Sequence, residues 1–299
     1  MNFDTILYSV EDKIATITLN RPQQLNAVND HMIDELIAAL DEADRDDDVR
    51  VVIVNGAGRI FCAGADLSAG EKAFDYDSQI HEPSDSPVRS DGSVDYSHER
   101  VRDGAGRLTL RLYRALKPVI AAIHGAAVGV GVTMTLAMDA RLATSDARFG
   151  LVFTRRGIVP EGASTWFLPR IVGLERALDW CLTGRMVAAQ EALDSKLVRS
   201  LHSQDDLLRA AHVYAREIIE NTSPVSVALT RQMLWRMAAV DHPMIAHRLD
   251  SRGVYARGRS ADAREGVASF LEKRKPNFPD RVSRDMPEFF PWWNEPDYS

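Results

Sequence analysis

The sequence predicts an α/β protein whose first two-thirds mix strands with helices and whose last third is helical. Residues 51–54 and 118–123 are continuous apolar runs, which are typical of strands covered on both faces. A glycine-rich connection follows each run, at residues 56–67 and 125–131. From residue 205 onward the apolar residues recur with helical spacing almost throughout. Together these patterns indicate an α/β core with a helical C-terminal portion.

The individual elements follow from local patterns. Residues 3–10 and 13–20 alternate between apolar and polar side chains, so they predict two paired strands. Asn29 or Asp30 caps the helix that follows, because both side chains can accept hydrogen bonds from its first N–H groups. The other predicted elements are helices at 108–116, 133–138, 164–172, 174–182, 188–195, 206–221, 224–239, 243–257 and 261–275 and a strand at 197–201.

The chain divides into a core at residues 1–200, a helical region at 201–275 and a tail at 276–299. Residues 68–106 interrupt the core, because they are polar, rich in Asp, Ser and Gly, and without periodicity. A segment of this length is a lid, a binding loop or a disordered insertion. The tail carries aromatic residues and prolines without a period, so it either docks on a neighbouring surface or is loose.

Composition excludes several classes of protein. The 299 residues are 45% hydrophobic and 26% charged, as in ordinary globular proteins, and a net charge of −7 argues against a broad nucleic-acid surface. Cys62 and Cys181 provide neither a disulfide framework nor a metal-ligand spacing, so we expect reduced thiols, no metal and a cytoplasmic protein. We see no signal peptide, and no apolar run approaches the roughly 20 residues that a membrane span requires.

Residues 121–164 carry the strongest signal for chemistry. A strand that passes through glycines into a helix leaves N–H groups unpaired at the helix start, where they can stabilise negative charge. The second glycine-rich connection, at 56–67, suggests two backbone donors that converge on one atom, although two tight turns of a crossover fold are an equal alternative. Glu161 follows in the turn Val159–Pro160–Glu161–Gly162, either as a group that moves protons or as an acid at a helix start.

Several other chemistries lack their motifs. The stretch GVGVTM has no third glycine where a dinucleotide-binding fingerprint needs it, and there is no GxxxxGK[ST] phosphate loop. A serine nucleophile in a G-x-S-x-G elbow is absent as well. His124 ends a buried strand, so we interpret it as a packed, hydrogen-bonded histidine rather than as a base.

The chain resembles the enoyl-CoA hydratase/isomerase (crotonase) superfamily over about residues 3–278. The motifs that carry this resemblance are LNRPQQLNAVN, GRIFCAGADL, IHGAAVGVGVTMTLAMDARLATSDARFG, GIVPEGAS and EGVASFLEKRKPNF, in this order. The resemblance implies a spiral core of ββα units and a helical trimerisation region, in homotrimers or in hexamers of two trimers. It also implies an acyl-CoA substrate whose enolate is stabilised by backbone N–H groups, with coenzyme A entering as part of the thioester and no separate cofactor.

The resemblance also assigns residues. The two backbone donors fall on Ala65 and Val130. Arg21 and Arg59 are weaker candidates for the coenzyme A phosphates. The expected contacts with the substrate and its coenzyme A part are Gln24, Leu25, Asn26, Ala63, Gly64, Asp66, Thr133 and Phe153, together with Phe270 and Lys273, which reach the ligand of a neighbouring subunit. A helix N-cap or a loop acid is the alternative for Asp66, and a solvated helix end is the alternative for Lys273.

The sequence departs from the family's hydratases at both of their catalytic glutamates, which Thr133 and Phe153 replace. Glu161 instead matches the single glutamate of one branch of Δ3,Δ2-enoyl-CoA isomerases. We therefore predict a double-bond isomerase of fatty-acid metabolism that uses one carboxylate. The alternatives are a hydratase that positions water differently, another reaction of the family such as hydrolysis or dehalogenation, and a non-catalytic acyl-CoA-binding member.

Overall fold

A computed structural model describes residues 2–76 and 86–298 of the chain. The strands are β1 (Ile6–Glu11), β2 (Ile14–Leu19), β3 (Val51–Gly56), β4 (Val119–Ile123), β5 (Ala126–Val128), β6 (Ala140–Thr144), β7 (Arg148–Gly150), β8 (Met186–Ala188) and β9 (Ser200–His202). The helices are α1 (Asp30–Arg45), α2 (Gly104–Arg114), α3 (Val130–Thr133), α4 (Ser164–Val172), α5 (Leu174–Thr183), α6 (Ala189–Asp194), α7 (Leu207–Asn221), α8 (Pro224–Met237), α9 (Pro243–Gly258) and α10 (Ala261–Glu272).

The strands form a six-stranded sheet in the order β1-β2-β3-β4-β6-β9 and a three-stranded sheet in the order β5-β7-β8. β1 and β2 are antiparallel, and each later pair in the large sheet is parallel. Residues 51–54 of β3 and all of β4 are buried and apolar because helices cover both faces of the sheet, whereas Asn55 of β3 is buried and polar. α1 and α2 contribute to the core on one face, and Leu207, Ala211 and Ala215 of α7 cover the other.

The structure confirms most predicted elements and corrects three of them. The strand predicted at 197–201 is β9 at Ser200–His202, because residues 195–199 form turns and bends after α6. α2 begins at Gly104 rather than at 108, and the Asp103 side chain caps it by accepting from the N–H groups of Ala105 and Gly106. This helix start lies inside the segment that we expected to lack regular structure. The helix predicted at 133–138 shares only Thr133 with α3, and the chain continues from there as a 3-10 helix at Met134–Ala137.

The helical C-terminal region is joined closely to the core. β9 spans the predicted boundary at residue 200, and α7 packs on the large sheet. The buried Arg231 of α8 donates to the carbonyls of Leu112 and Ala115 at 2.8 and 2.5 Å and pairs with Asp139 at 2.8 Å. α9 packs on α8, and α10 packs on α9. Among the described residues, no helix has both the length and the apolar character needed to cross a membrane.

The tail docks on its own chain. Its aromatic rings pack edge to face, with the centroids of Trp292 and Trp293 4.7 Å apart. The Arg236 guanidinium of α8 lies 3.3 Å from the centroid of Trp293 and pairs with Glu295 at 2.7 Å. These contacts decide between the two interpretations of the tail, because its described part is held against a surface of this chain.

Candidate active site

Two backbone segments with positive-φ glycines run side by side at the centre of the site. The N–H of Cys62 donates to the carbonyl of Ala126, and the N–H of Val128 donates to the carbonyl of Cys62, both at 3.0 Å. Gly64 has φ +109°, and a Cβ there would lie 3.1 Å from the Val128 carbonyl oxygen. Glycine is therefore required at this position both by conformation and by the approach of the other segment.

Ala65 and Val130 are the next residues along these two segments after the touching glycines. The Gly64 Cα lies 3.8 Å from the position that a Cβ on Gly129 would occupy. Val130 is the first residue of α3, where N–H groups have no intrahelical acceptor. Within residues 2–76 and 86–298, no hydrogen bond is donated by the N–H of Ala65 or of Val130. Each of the two adjacent segments thus carries one N–H group without an acceptor in the described part of the chain, at Ala65 and at Val130, which are the residues predicted as backbone donors.

Glu161 is held beside α3. Its Oε1 accepts a 2.6 Å hydrogen bond from the hydroxyl of Thr133, which is buried one helical turn after Val130. The Glu161 carbonyl accepts from the hydroxyl of Ser164 at 2.6 Å, and the neighbouring Gly162 N–H donates to Asp103 at 2.6 Å. The turn is therefore fixed on both sides of the carboxylate.

The surroundings of Glu161 bring its protonation into the neutral range. Burial raises the pKa of Glu161 to about 8, the nearby Asp103 carboxylate adds to the increase, and the hydrogen bond from Thr133 opposes it. A general base is most effective when its pKa lies close to the working pH. The Asp103 carboxylate itself accepts hydrogen bonds from three N–H groups, those of Ala105, Gly106 and Gly162.

The other residues around the site are apolar, or their side chains carry no charge at neutral pH. Phe153 is buried, with a ring carbon 4.0 Å from the Cβ position of Gly129. Burial raises the pKa of the Cys62 thiol to about 12, so it is not a thiolate nucleophile at neutral pH. Burial raises the pKa of Tyr76, and the carboxylates of Asp103, Asp30 and Glu161 add to the increase.

The loop at 24–26 lies against the segment that carries Ala65, as the Ala63 N–H donates to the Leu25 carbonyl at 3.0 Å. Gln24 is exposed, whereas Asn26 is fully buried. The Asn26 amide donates to the carbonyls of Ala57, Ile60 and Phe61 at 2.8 to 3.1 Å. Its side chain therefore holds the loops together and is not presented to a ligand.

The charged residues near this loop are also engaged within the chain. Arg21 pairs with Asp66 at 2.8 Å and donates to the Ala27 carbonyl at 2.5 Å. Asp66 also accepts from the N–H of Ser68, and these contacts give it the role of a loop acid. Arg59, in contrast, is exposed.

Phe270 and Lys273 lie apart from this cluster in the single chain. Phe270, on α10, is 80% exposed, and Lys273 ends that helix with φ +54°. Their predicted contact would need a neighbouring subunit and stays a prediction. The structural interpretation of His124 is confirmed, because its ring hydrogen-bonds the Gly58 carbonyl at 3.0 Å and is buried.

One group in the described ranges brings three metal-capable side chains together, namely Asp4, His31 and Glu35. Glu35 already accepts from the N–H groups of Asp4 and Thr5 at 2.6 and 2.8 Å and from the Thr5 hydroxyl. Its contacts are those of a structural carboxylate that joins the N-terminal segment to α1.

Comparison with known proteins agrees with this geometry. An enoyl-CoA hydratase of Bacillus anthracis superposes with a TM-score of 0.78 at 30% identity, covering 92% of this chain and 99% of that one, and the fold is that of crotonase-like proteins. The sequence matches the family described as enoyl-CoA hydratase/isomerase over residues 9–86 and 93–281. The chain belongs to this family.

Individual relatives carry different activities in their names. An enoyl-CoA hydratase of Alternaria alternata is 38% identical over 278 residues, which cover 93% of this chain and 86% of the relative. The 1,2-epoxyphenylacetyl-CoA isomerase of Escherichia coli K12 is 35% identical over 276 residues, which cover 91% and 97% of the two chains. The family is thus established, and both reaction names occur among its similar members.

Sequence reasoning missed two residues that the structure adds to the site. Asp103 caps α2 and also binds the Gly162 N–H, and Thr109 of α2 lies beside Gly162. The sequence did contain a signal for the first residue, since an Asp that precedes Gly104–Ala105–Gly106 matches an N-cap.

Proposed function

We propose that the protein moves a carbon–carbon double bond within an acyl-CoA thioester, with Glu161 as the group that carries the proton. The observation that supports this most is the partly buried Glu161 carboxylate, which is hydrogen-bonded to Thr133, the residue at which the family resemblance implies a glutamate in hydratases. A reaction that removes and returns one proton needs one such group. The similarity to a relative named as an isomerase agrees with this choice.

The reaction starts when the thioester oxygen accepts hydrogen bonds from the N–H groups of Ala65 and Val130. Ionised Glu161 removes a proton from C2 of a 3-enoyl thioester, and the electron pair delocalises into a dienolate. Each of the two donors typically contributes about 3 kcal/mol to such a charged state. Protonated Glu161 then returns the proton to C4, which gives the 2-enoyl thioester and restores the carboxylate.

The coenzyme A part would lie along the loop at 24–26 and the segment at 63–66, with Arg59, which is exposed and forms no ion pair within residues 2–76 and 86–298, as a cation for its phosphates. Arg21 is less suited to that task, since Asp66 already pairs with it. No cofactor beyond the substrate's own coenzyme A is required. We expect the reaction to belong to fatty-acid metabolism in the cytoplasm.

We also propose a homotrimer, or a hexamer of two trimers, built through the C-terminal helices. The support is a set of exposed apolar side chains on α8, α9 and α10, which a monomer would leave in water. Members of this set are between 61% and 80% exposed, namely Leu234, Val254, Val267, Phe270 and Leu271. Assembly would bring Phe270 and Lys273 to a neighbouring ligand.

The test is a thioester panel with wild type, Glu161→Gln and the control Glu175→Gln, whose carboxylate is exposed on α5. We expect wild type and the control to convert 3-enoyl-CoA to 2-enoyl-CoA, with a rise in conjugated thioester absorbance. Glu161→Gln should lose at least 100-fold, since general acid–base groups contribute about 10²–10⁴-fold. Full activity of a folded Glu161→Gln protein would remove Glu161 from the mechanism.

A second candidate is hydration of 2-enoyl-CoA, which the name of the Alternaria relative favours. It predicts loss of the conjugated absorbance when 2-enoyl-CoA is added, together with a 3-hydroxyacyl product. Tight coenzyme A binding without turnover of any thioester would instead support a non-catalytic acyl-CoA-binding member.

A further inference from the structure

The turn that carries Glu161 holds two consecutive residues in the left-handed region of backbone conformation. Gly162 has φ +65° and Ala163 has φ +51°. Glycine adopts this region easily because it has no side chain, whereas alanine rarely adopts it. A turn of this kind persists where surrounding contacts hold it, so the contacts of this turn decide where the Glu161 side chain lies.

The peptide unit that joins Glu161 to Gly162 is held at both of its polar atoms. Its carbonyl oxygen accepts from the hydroxyl and the N–H of Ser164 at 2.6 and 3.1 Å, which are contacts within the turn. Its N–H donates at 2.6 Å to a carboxylate oxygen of Asp103, which lies 59 residues earlier in the sequence. Gly162 is buried, so this N–H needs an acceptor within the protein. The bond to Asp103 therefore ties the turn to the start of α2.

The contact between Asp103 and Gly162 is more than the capping of α2 requires. The cap itself consists of the N–H groups of Ala105 and Gly106, each of which donates to the Asp103 carboxylate at 3.0 Å. A serine, threonine or asparagine side chain supplies a cap of this kind as well. What the carboxylate adds is an acceptor for the turn and a negative charge near Glu161.

The charge of Asp103 acts on the Glu161 carboxylate. Burial raises the pKa of Glu161 to about 8, and the charge of Asp103 adds to the increase. The other titratable groups that face Glu161, among the residues that the structure describes, are the Cys62 thiol and the Tyr76 hydroxyl. Burial raises the pKa of both, so neither carries a charge at neutral pH, and Asp30 of α1 acts on Tyr76 in the same direction.

We propose that Asp103 is a positioning residue, which fixes the peptide unit of Glu161 and places a negative charge near its carboxylate. The start of α2 then holds the backbone of Glu161, while the Thr133 hydroxyl of α3 holds its carboxylate at 2.6 Å. Two helices thus set the position of one side chain from its two ends. The polar segment before α2 is joined to the site through the same carboxylate.

Two substitutions in the full chain separate the contact from the charge. Asp103→Asn removes the charge and keeps an oxygen that can accept from Gly162, whereas Asp103→Ser keeps a cap for α2 on a side chain that is one atom shorter. Hydrogen exchange of the Gly162 N–H should be at least about tenfold faster in Asp103→Ser and close to wild type in Asp103→Asn. The control is Ser260→Ala, which removes the side-chain cap of α10 and should leave this exchange unchanged. Wild-type exchange in Asp103→Ser would overturn the backbone role.

The charge is tested by a cycle of thermal stability, which needs no turnover. Glu161→Gln should raise the Tm of the wild-type background at pH 9, because it removes a carboxylate that is ionised beside Asp103. In the Asp103→Asn background this gain should be smaller by about 2 °C, since the repulsion is already gone. At pH 5 Glu161 is protonated, so both backgrounds should respond equally. Equal gains at pH 9 would exclude the electrostatic role.

The catalytic meaning rests on the proposed function and has its own readout. In Asp103→Asn the acid limb of kcat/KM for isomerisation should move to lower pH by about one unit, with the plateau of kcat within about threefold of wild type. Asp103→Ser should also lower that plateau at least about tenfold, because Glu161 is misplaced, and Ser260→Ala should change neither quantity.

An acid limb that stays in place in Asp103→Asn, or a wild-type plateau in Asp103→Ser, would contradict the assignment of Asp103 as a positioning residue. A wild-type protein without isomerase activity would refute the proposed function alone. The exchange and stability results would still decide whether Asp103 holds the turn and acts on Glu161, so the two failures are distinguishable.

Discussion

In the reaction proposed above, the hydrogen bond between Thr133 and Glu161 contributes to the pH at which the protein works. That reaction requires an ionised carboxylate to remove a proton from C2, and burial and the Asp103 charge raise the pKa of Glu161 to about 8 against the opposing effect of this 2.6 Å bond. In the variant Thr133→Val the shape is kept and the bond is lost. The ionised form then loses its donor, so the pKa of Glu161 rises.

The size of the change follows from the strength of the bond. A hydrogen bond to a charged group is worth roughly 1.5–3 kcal/mol, and about 1.4 kcal/mol corresponds to one pH unit. The acid limb of kcat/KM, which reports the free enzyme, should therefore move from near pH 8 to roughly pH 9–10. At pH 7 the activity of the variant should fall by about 10- to 100-fold.

The assay is the initial rate of 3-enoyl-CoA isomerisation at subsaturating substrate between pH 6 and pH 10, with Thr133→Ser as the variant that retains the hydroxyl. Thr133→Ser should keep the limb close to its wild-type position. An acid limb of Thr133→Val that stays in place, or moves to lower pH, would refute the reasoning, because either result means that Thr133 does not stabilise the carboxylate.

Three further predictions concern stability and shape. The pKa of Glu161 is higher in the folded protein than in the unfolded chain, so its contribution to the free energy of unfolding is greatest at low pH and is lost as the pH rises towards 8. Glu161→Gln should therefore have a higher Tm than wild type at pH 9, and this difference should disappear at pH 5. Gly64→Ala combines φ +109° with a Cβ 3.1 Å from the Val128 carbonyl, so calorimetry should show a loss of several °C, and turnover should fall with it. Trp293→Ala removes the ring beneath Arg236, and we expect a lower Tm by about 2–4 °C with kcat unchanged; a lower kcat would place the tail in the active site.

The sequence could predict those parts of the fold that leave a periodic or conformational signal. The apolar strands β3 and β4 and the amphipathic α1 are such cases, and His124 was placed correctly because a histidine at the end of a buried strand needs a nearby acceptor. The start of α2 was missed because Gly104, Ala105 and Gly106 are small and show no periodicity. The end of α3 was missed because residues 130–138 are all buried, so no exposed face marks where the helix stops.

The sequence could assign individual site residues, but it could not predict contacts between residues that lie far apart along the chain. Motifs assign Ala65, Val130 and Glu161, and the structure places two unpaired N–H groups and one partly buried carboxylate at these residues. The bond from Thr133 to Glu161 joins residues 28 apart, and the position of Thr109 depends on how α2 packs against the turn. Contacts of this kind follow from tertiary packing, which a local pattern does not encode. The roles assigned to these residues stay predictions until turnover is measured.

The Asp103 carboxylate links the start of α2 to the turn that carries Glu161. One oxygen closes the first turn of α2 at the end of the polar segment, and the other holds the Gly162 N–H 2.6 Å away in the turn of Glu161. Loss of this one side chain would therefore release the helix start and the turn together. A redesign that lengthens or shortens the polar segment should keep Asp103, so that the position of Glu161 is not disturbed at the same time.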